Sequence, residues 1–298
     1  MIRDWISRRL FSLGQRAAPG LSPAAVRALG AAAYALAKLD RTHLATYAAN
    51  LRRVLGHEPS PELLRAGLAS WIRMNVEVLA LPSWSRDTVL DKVATVGERH
   101  LREAWASGRG VVVALPHLGN WDLAGAWACL AGYPVTTVAE NLGEREFAAY
   151  TALRGRLGME VLAHDAPDVV GALLTAVRRG RLVCLLSDRD LPLRGVPVSF
   201  AGQPVSMPAG PALIARRTGA VLIGAAGRYR PDGMVLEISP PVPARPGREG
   251  LVAMTQDLAD FFTVQVRAAP ADWHMLQPFF DLRPGLGGPT MPDRSLGE

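Results

Sequence analysis

Hydrophobic positions along this chain follow two different spacings, and the change between them marks its plan. In the first hundred or so residues the spacing is helical. Ile2, Ile6, Leu10 and Leu13 recur on one face, with Trp5 and Phe11 beside them and Arg3, Arg8 and Arg9 close by. That is the pattern of a short basic amphipathic helix lying in a membrane interface, and equally of an N-terminal helix packing on its own domain. Ser60 is a good N-cap ahead of Pro61, and Leu64, Leu68, Trp71 and Leu79 continue a longer helix from there. From Gly110 short β-branched runs take over, at 110–115, 134–139, 159–162, 182–186, 196–200, 220–226 and 234–238. Helical stretches separate the earlier ones, from about Asn120, over 144–157 and over 167–179. A last helix is predicted over 249–267, with Leu251, Met254, Leu258 and Phe261 on one face. Strands alternating with helices predict an α/β fold, a mostly parallel twisted sheet flanked by helices on both faces, preceded by an N-terminal helical region. The shorter connections between the later strands predict some antiparallel pairing.

Nothing in the pattern splits the chain. Residues 1–298 are expected to form a single domain, with 1–105 mainly helical, 106–282 an α/β core, and 283–298, rich in Gly and Pro, an unstructured tail. No apolar run reaches the ~20 residues needed to span a bilayer, and no signal peptide is read at the N-terminus.

Charge narrows the partners. The formal net charge is +6, and Lys38 and Lys92 are the only lysines, so nearly every cation is Arg. The sign suits an anionic membrane face, a phosphorylated substrate or nucleic acid, but no nucleic-acid motif is present and no nucleic-acid partner is expected. A coding bias toward Arg, Ala, Gly and Pro explains the Arg excess as well as phosphate recognition does. Cys129 and Cys184 lie in apolar surroundings, without a CxxC or a Cys/His cluster. Neither a disulfide framework nor a metal site is expected, and reduced thiols fit a cytoplasmic setting.

The chemistry concentrates at His117-Leu118-Gly119-Asn120-Trp121-Asp122. His117 follows a buried strand and Pro116, the carboxyl end of a strand being where α/β sheets bind ligands. Gly119 permits a close backbone approach. Asn120 is a plausible N-cap, which puts Asp122 in the first helical turn, where the helix dipole favours a carboxylate. A turn there can fold His117 back onto Asp122. A carboxylate on one imidazole nitrogen would fix the tautomer and leave the other to deprotonate a hydroxyl. Spacing alone leaves two readings open, a His–Asp pair and a capped helix start with a structural His.

The run HLGNWD resembles the His-x4-Asp/Glu signature of the lysophospholipid acyltransferase superfamily. More closely it resembles the branch of lipid A late acyltransferases and actinobacterial phosphatidylinositol mannoside acyltransferases. A second block agrees: Ser187-Asp188-Arg189-Asp190, then Gly195 to Gly202, Met207 to Ala212, and Arg217 to Ala220. Asn50 to Val54 upstream and Pro270 to Trp273 downstream are similar too, so the resemblance covers about residues 45–280. It implies that His117, assisted by Asp122, deprotonates an acceptor hydroxyl that attacks the thioester of an acyl-CoA, with no covalent acyl-enzyme. The lack of a Gly-x-Ser-x-Gly elbow is consistent with that. It also implies a Glu and an Arg lining the polar site, for which Glu140 and Arg154 fit, and an acidic member that is Asp188 or Asp190.

Around these, Arg189, Arg194, Arg216 and Arg217 are candidates for coenzyme A phosphates or lipid headgroups, a solvated basic face being the other reading. An apolar slot for the acyl chain is expected beside the His117 loop, near Trp121, Trp127, Leu130 and Met207. His43, His57, His100 and His164 have no partner at a telling spacing, and His274 is read as structural.

The expected reaction is transfer of a palmitoyl-like chain from acyl-CoA to a mannose hydroxyl of a phosphatidylinositol mannoside, by a monomer on the cytoplasmic face of the plasma membrane. No cofactor is expected, acyl-CoA being a substrate. The alternatives are a lipid A acyltransferase acting on a Kdo-bearing lipid and a non-catalytic lipid-binding protein of the same fold. Asp122, where lipid A enzymes usually carry Glu, favours the mannoside branch.

Overall fold

A computed structural model describes residues 14, 16–37, 41–140, 144–190 and 195–280. The predicted amphipathic helix over residues 2–13, Arg194 and the tail from Arg283 lie outside the described residues.

After a 3-10 turn (Ala18–Gly20) come three helices, α1 (Pro23–Ala37), α2 (Arg41–Leu55) and α3 (Pro61–Ala80). α3 starts where the sequence predicts, Ser60 Oγ accepting from Leu63 N at 3.2 Å. Short helices α4 (Arg86–Lys92) and α5 (Glu98–Ala106) flank β1 (Val93–Val96). Then follow β2 (Val111–Leu115), α6 (Trp121–Leu130), β3 (Val135–Ala139), α7 (Glu144–Arg156), β4 (Glu160–Ala163), α8 (Val169–Arg178) and β5 (Leu182–Leu186). A hairpin, β6 (Val196–Phe200) and β7 (Gln203–Met207), precedes α9 (Gly210–Thr218), β8 (Val221–Arg230), β9 (Gly233–Ile238) and α10 (Gly247–Ala268).

Seven strands form one sheet in the order β1-β9-β8-β2-β5-β3-β4, and β6 and β7 pair separately. Every neighbouring pair in the large sheet is parallel except β8 with β9. This is the mostly parallel sheet with some antiparallel pairing that the sequence predicts. β2 lies near the middle, between β8 and β5, and all five of its residues are buried, as its unbroken apolar run requires. Alternate residues of the strands face opposite sides, so the sheet carries two cores. Val112, Val183 and Leu222 pack with α8, α9 and α10, while Val113, Leu182 and Ile223 pack with α5 and α6.

Two strands differ from the expectation. β1 lies within the stretch read as helical, pairing with β9 at the sheet edge, so the sheet takes a strand from both sides of the division drawn at residue 105. A four-residue strand between two short helices is too brief to show a period of two. β7 was not predicted because Gln203-Pro204 breaks the apolar pattern. It forms because Ala201 (φ 54°) and Gly202 (φ 83°) reverse the chain after β6.

Candidate active site

The register of the sheet builds the centre of the site. β2 and β5 are parallel neighbours with Leu115 opposite Leu186, so two residues further on each chain His117 meets Asp188. The Asp188 carboxylate grips His117 twice, accepting from its backbone N–H through Oδ2 (2.9 Å) and meeting its Nδ1 through Oδ1 (2.6 Å). Trp273 Nε1 donates to the same Oδ2 at 3.1 Å. The Asp188 side chain is wholly buried, whereas that of His117 keeps 24% of its surface exposed. Burial pushes the Asp188 carboxyl up, but the charge of a protonated His117 and the hydrogen bonds from His117 and Trp273 outweigh it. The group therefore sits below the ordinary carboxylate range.

Asp122 is not the partner of His117. In the first turn of α6, Asp122 receives Arg154 of α7 in a two-pronged ion pair, Nε to Oδ1 at 2.5 Å and Nη2 to Oδ2 at 3.1 Å. The expected His117–Asp122 pairing is thus replaced by two pairs, His117–Asp188 and Arg154–Asp122. A neighbour across the sheet holds His117 more directly than one a helical turn along the chain. His117, Asp122 and Arg154 border the same cavity, with Asp188 buried behind His117, and the Asp122 charge raises the Arg154 pKa further.

The loop between β2 and α6 is braced from three directions. Asn120 caps α6, its Oδ1 accepting from Leu123 N at 3.0 Å, as the sequence predicts, while its Nδ2 donates to Glu77 of α3 at 3.0 Å. Gly119 has φ +67°, and a Cβ there would stand 2.6 Å from the carbonyl oxygen of Gly227. Residues 272–274, at and just after a single 3-10 turn (Pro270–Asp272), lie along the loop. Gly119 N donates to Asp272 O (2.9 Å), His274 N donates to His117 O (2.8 Å), and Leu118 bridges Trp273. Behind this strap Ser70 Oγ donates to Asp272 Oδ1 (2.7 Å) and meets His274 Nε2 at 3.0 Å. Burial, with the nearby His117 charge, pushes His274 down to about 3, so it stays neutral. The structural role read for His274 matches this setting.

His117 stands at a cavity of about 520 Å³ between the sheet and α6. Its floor crosses five adjacent strands, with Leu236 of β9, Ile223 of β8, Val113 of β2, Leu182 of β5 and Val135 of β3 among its residues. Four inter-strand spacings of about 4.8 Å make this roughly 19 Å. Ala124, Gly125 and Ala128 of α6 give the roof its room, and Met159 lies against Gly125. Of the slot residues named from sequence, Trp121 and Trp127 line it. Leu130 does not, and Met207 lies in the core on the opposite face of the sheet.

The polar rim contains Glu140 and Arg189, paired at 3.8 Å, with Arg154, Asp122 and His164. Asp190 is not on the rim. It accepts from Gly195 N (2.8 Å) and Ser206 Oγ (2.5 Å), bracing the base of the β6–β7 hairpin, because two residues past Asp188 the chain has turned away toward that hairpin. Arg216 and Arg217, on the last turn of α9, lie outside the cavity lining as well. Sequence reasoning did not find Met74, Asn75 and Val78 of α3, Phe147 and Tyr150 of α7, or His164 as lining, nor Trp273 as a partner of Asp188. All are brought in by tertiary packing, and only Trp273, within a block resembling the family, carried a local signal.

The model of the family described as bacterial lipid A biosynthesis acyltransferase matches residues 18–281. The chain belongs to this family. It is also similar to proteins named phosphatidylinositol mannoside acyltransferase. One from Mycolicibacterium smegmatis is 40% identical over 238 residues, 77% of each chain. Another, from Mycobacterium tuberculosis, is 41% identical over 238 residues, 77% of this chain and 74% of the relative. As a member of the family, the chain is an acyltransferase of lipid biosynthesis.

Proposed function

We propose that the protein transfers a long acyl chain from acyl-CoA to a mannose hydroxyl of a phosphatidylinositol mannoside, with His117 as general base. One observation carries this reading: an Asp188-held imidazole at the mouth of a long apolar slot. With Nδ1 engaged by Asp188, Nε2 of His117 is left for the acceptor. It takes the hydroxyl proton as the oxygen attacks the thioester carbonyl. The tetrahedral intermediate collapses, the C–S bond breaks, and the thiol of coenzyme A leaves with the proton that His117 returns. The buried Asp188 charge stabilises the imidazolium between the two steps. Asp122 acts through Arg154, holding a guanidinium at the rim, where it and Arg189 meet the anionic parts of donor or acceptor.

The slot supports a long chain. Its span of roughly 19 Å exceeds the ~15 Å thickness of one leaflet's hydrocarbon layer, half of a ~30 Å bilayer core. The names of the relatives support the mannoside acceptor. No described helix is long and apolar enough to cross a membrane. In the proposed reaction the enzyme works peripherally on the cytoplasmic face, where acyl-CoA is found.

The test is an assay of purified protein with acyl-CoA donors of graded length and two acceptors in detergent, a phosphatidylinositol mannoside and a Kdo-bearing lipid A precursor. Release of coenzyme A coupled to acylated mannoside is expected, with His117→Ala slower by at least about 100-fold while still folded by circular dichroism. Transfer to the lipid A precursor alone would reassign the acceptor. Full activity in His117→Ala would overturn the mechanism.

A further inference from the structure

α1 is apolar on every side. Arg27 is its only charged residue, and the rest of Pro23–Ala37 is Ala, Leu, Val, Gly, Pro and Tyr. A soluble helix of that composition is ordinarily enclosed. Here one face is seated. Gly30 and Tyr34 are buried against α3, and Gly30 lets the helices touch, since a Cβ there would lie 2.7 Å from Ala69 Cα. The other face is open. Leu29 is 45% and Leu36 66% exposed, and Ala24, Ala28, Ala31, Ala32 and Ala35 join them over two adjacent helical rows. Leu29 and Leu36 are two of five large apolar side chains that stand exposed among the described residues, and no other element carries two.

Charge says what covers this face. From Trp5 to Leu39 the sequence holds no Asp or Glu, while Arg8, Arg9, Arg16, Arg27 and Lys38 are cationic. Arg16 and Arg27 are exposed, and Arg65 of α3 lies over the Tyr34 ring at 5.4 Å beside the same helix. An apolar strip within a stretch that carries five cations and no anion, with Glu62 beside Arg65 as the acidic neighbour on α3, matches the boundary between headgroups and acyl chains of an anionic bilayer. A protein partner of ordinary composition would need no such excess of cations. The far side of α3, carrying Met74 and Val78, walls the catalytic slot, so α1 and the slot share one supporting helix.

We propose that the open face of α1, with Leu29 and Leu36 at its centre and Arg16, Arg27 and Arg65 at its rim, is the surface by which the protein docks on anionic phospholipid. The proposal deepens the reading of the chain as an enzyme of membrane lipids and rests on it. α1 lies in the plane of the interface, and α3 ties that plane to the slot in which acyl transfer occurs.

The experiment uses the full chain with vesicles of phosphatidylcholine, alone or with phosphatidylinositol at about one lipid in three. Co-sedimentation is expected with the anionic vesicles, weakened by salt. The double variant L29D/L36D is expected to partition at least about tenfold more weakly, a change of ~1.4 kcal/mol or more. R16E/R27E should lose the preference for phosphatidylinositol. Transfer in detergent micelles by both variants, with unchanged melting temperature, should match the unaltered protein. That arm separates failure of the docking proposal from failure of the proposed reaction, which would show as no transfer by any form. Three results would overturn the proposal: unaltered vesicle binding by L29D/L36D; loss of binding on deleting residues 1–13 with α1 variants still bound; or a change from dimer to monomer in L29D/L36D, which would make the face a contact between copies.

Discussion

At the scale of single residues, the site turns on which carboxylate holds the imidazole. Asp122 is the nearer in sequence to His117, and Asp188 is the one in contact. On the proposed mechanism, Asp188→Asn preserves the shape but replaces the anion that would stabilise the imidazolium, and its amide would no longer enforce the tautomer with the basic Nε2. The expected outcome is a fall in kcat on the order of 100- to 10,000-fold with little change in KM for acyl-CoA. Steady-state kinetics with donor and acceptor varied in turn check it, and a matching rise in KM would show that Asp188 binds substrate instead. The sequence pointed to His117 and to the acidic residues of both blocks, because short motifs carry them. It did not reveal the pairing, because that depends on the offset between β2 and β5 across 71 residues of chain.

At the scale of elements, the loop from β2 to α6 works because its backbone can approach β8. Gly119 adopts φ +67° with the Gly227 carbonyl directly beside it. The left-handed conformation alone costs about 1–2 kcal/mol in a non-glycine residue, and the collision adds to it. Gly119→Ala is therefore expected to lower both the melting temperature, by several degrees, and kcat. Gly108→Ala is its control, since Gly108 has the same φ (+67°) but has nothing within 4 Å of its added carbon. Thermal unfolding of the two variants measures the collision by difference, and equal losses would remove it as a cause. Most elements were legible because runs of five or more residues with caps, such as β2 and the Asn120 start of α6, announce themselves. β1 and β7 were not, since each is fixed by a partner strand rather than by its own pattern.

For the molecule as a whole, the strap over residues 272–274 ties the acid sensitivity of the fold to the neighbourhood of the site. Unfolded, His274 takes a proton below its ordinary 6.5; folded, it refuses one until about 3. A depressed pKa contributes stability that is present above 6.5 and is lost as pH falls toward 3. One such proton makes the slope up to ~1.4 kcal/mol per pH unit. Asp272, raised chiefly by burial, works in the opposite sense, and Asp188, lowered, adds its own loss only below the ordinary carboxylate range. Denaturant unfolding from pH 6.5 to 4.5 should thus show a steeper loss in the unaltered protein than in His274→Asn. Parallel curves would mean that His274 titrates normally. The two-faced α/β layout was visible in the alternation of strands and helices, whereas the contribution of α3 and of residues 272–274 to one site was not, because it joins segments some 200 residues apart.

That same strap sets an order of events in the life of the chain. His117 emerges from synthesis long before Trp273, yet the groups that close over its loop, the Asp272 carbonyl, the Trp273 indole and the His274 amide, are among the last described residues to be made. A growing or prematurely ended chain carries His117 without the contacts that brace its loop. On the proposed mechanism, a chain that ends before residue 274 is therefore expected to lack transfer activity even though it carries His117.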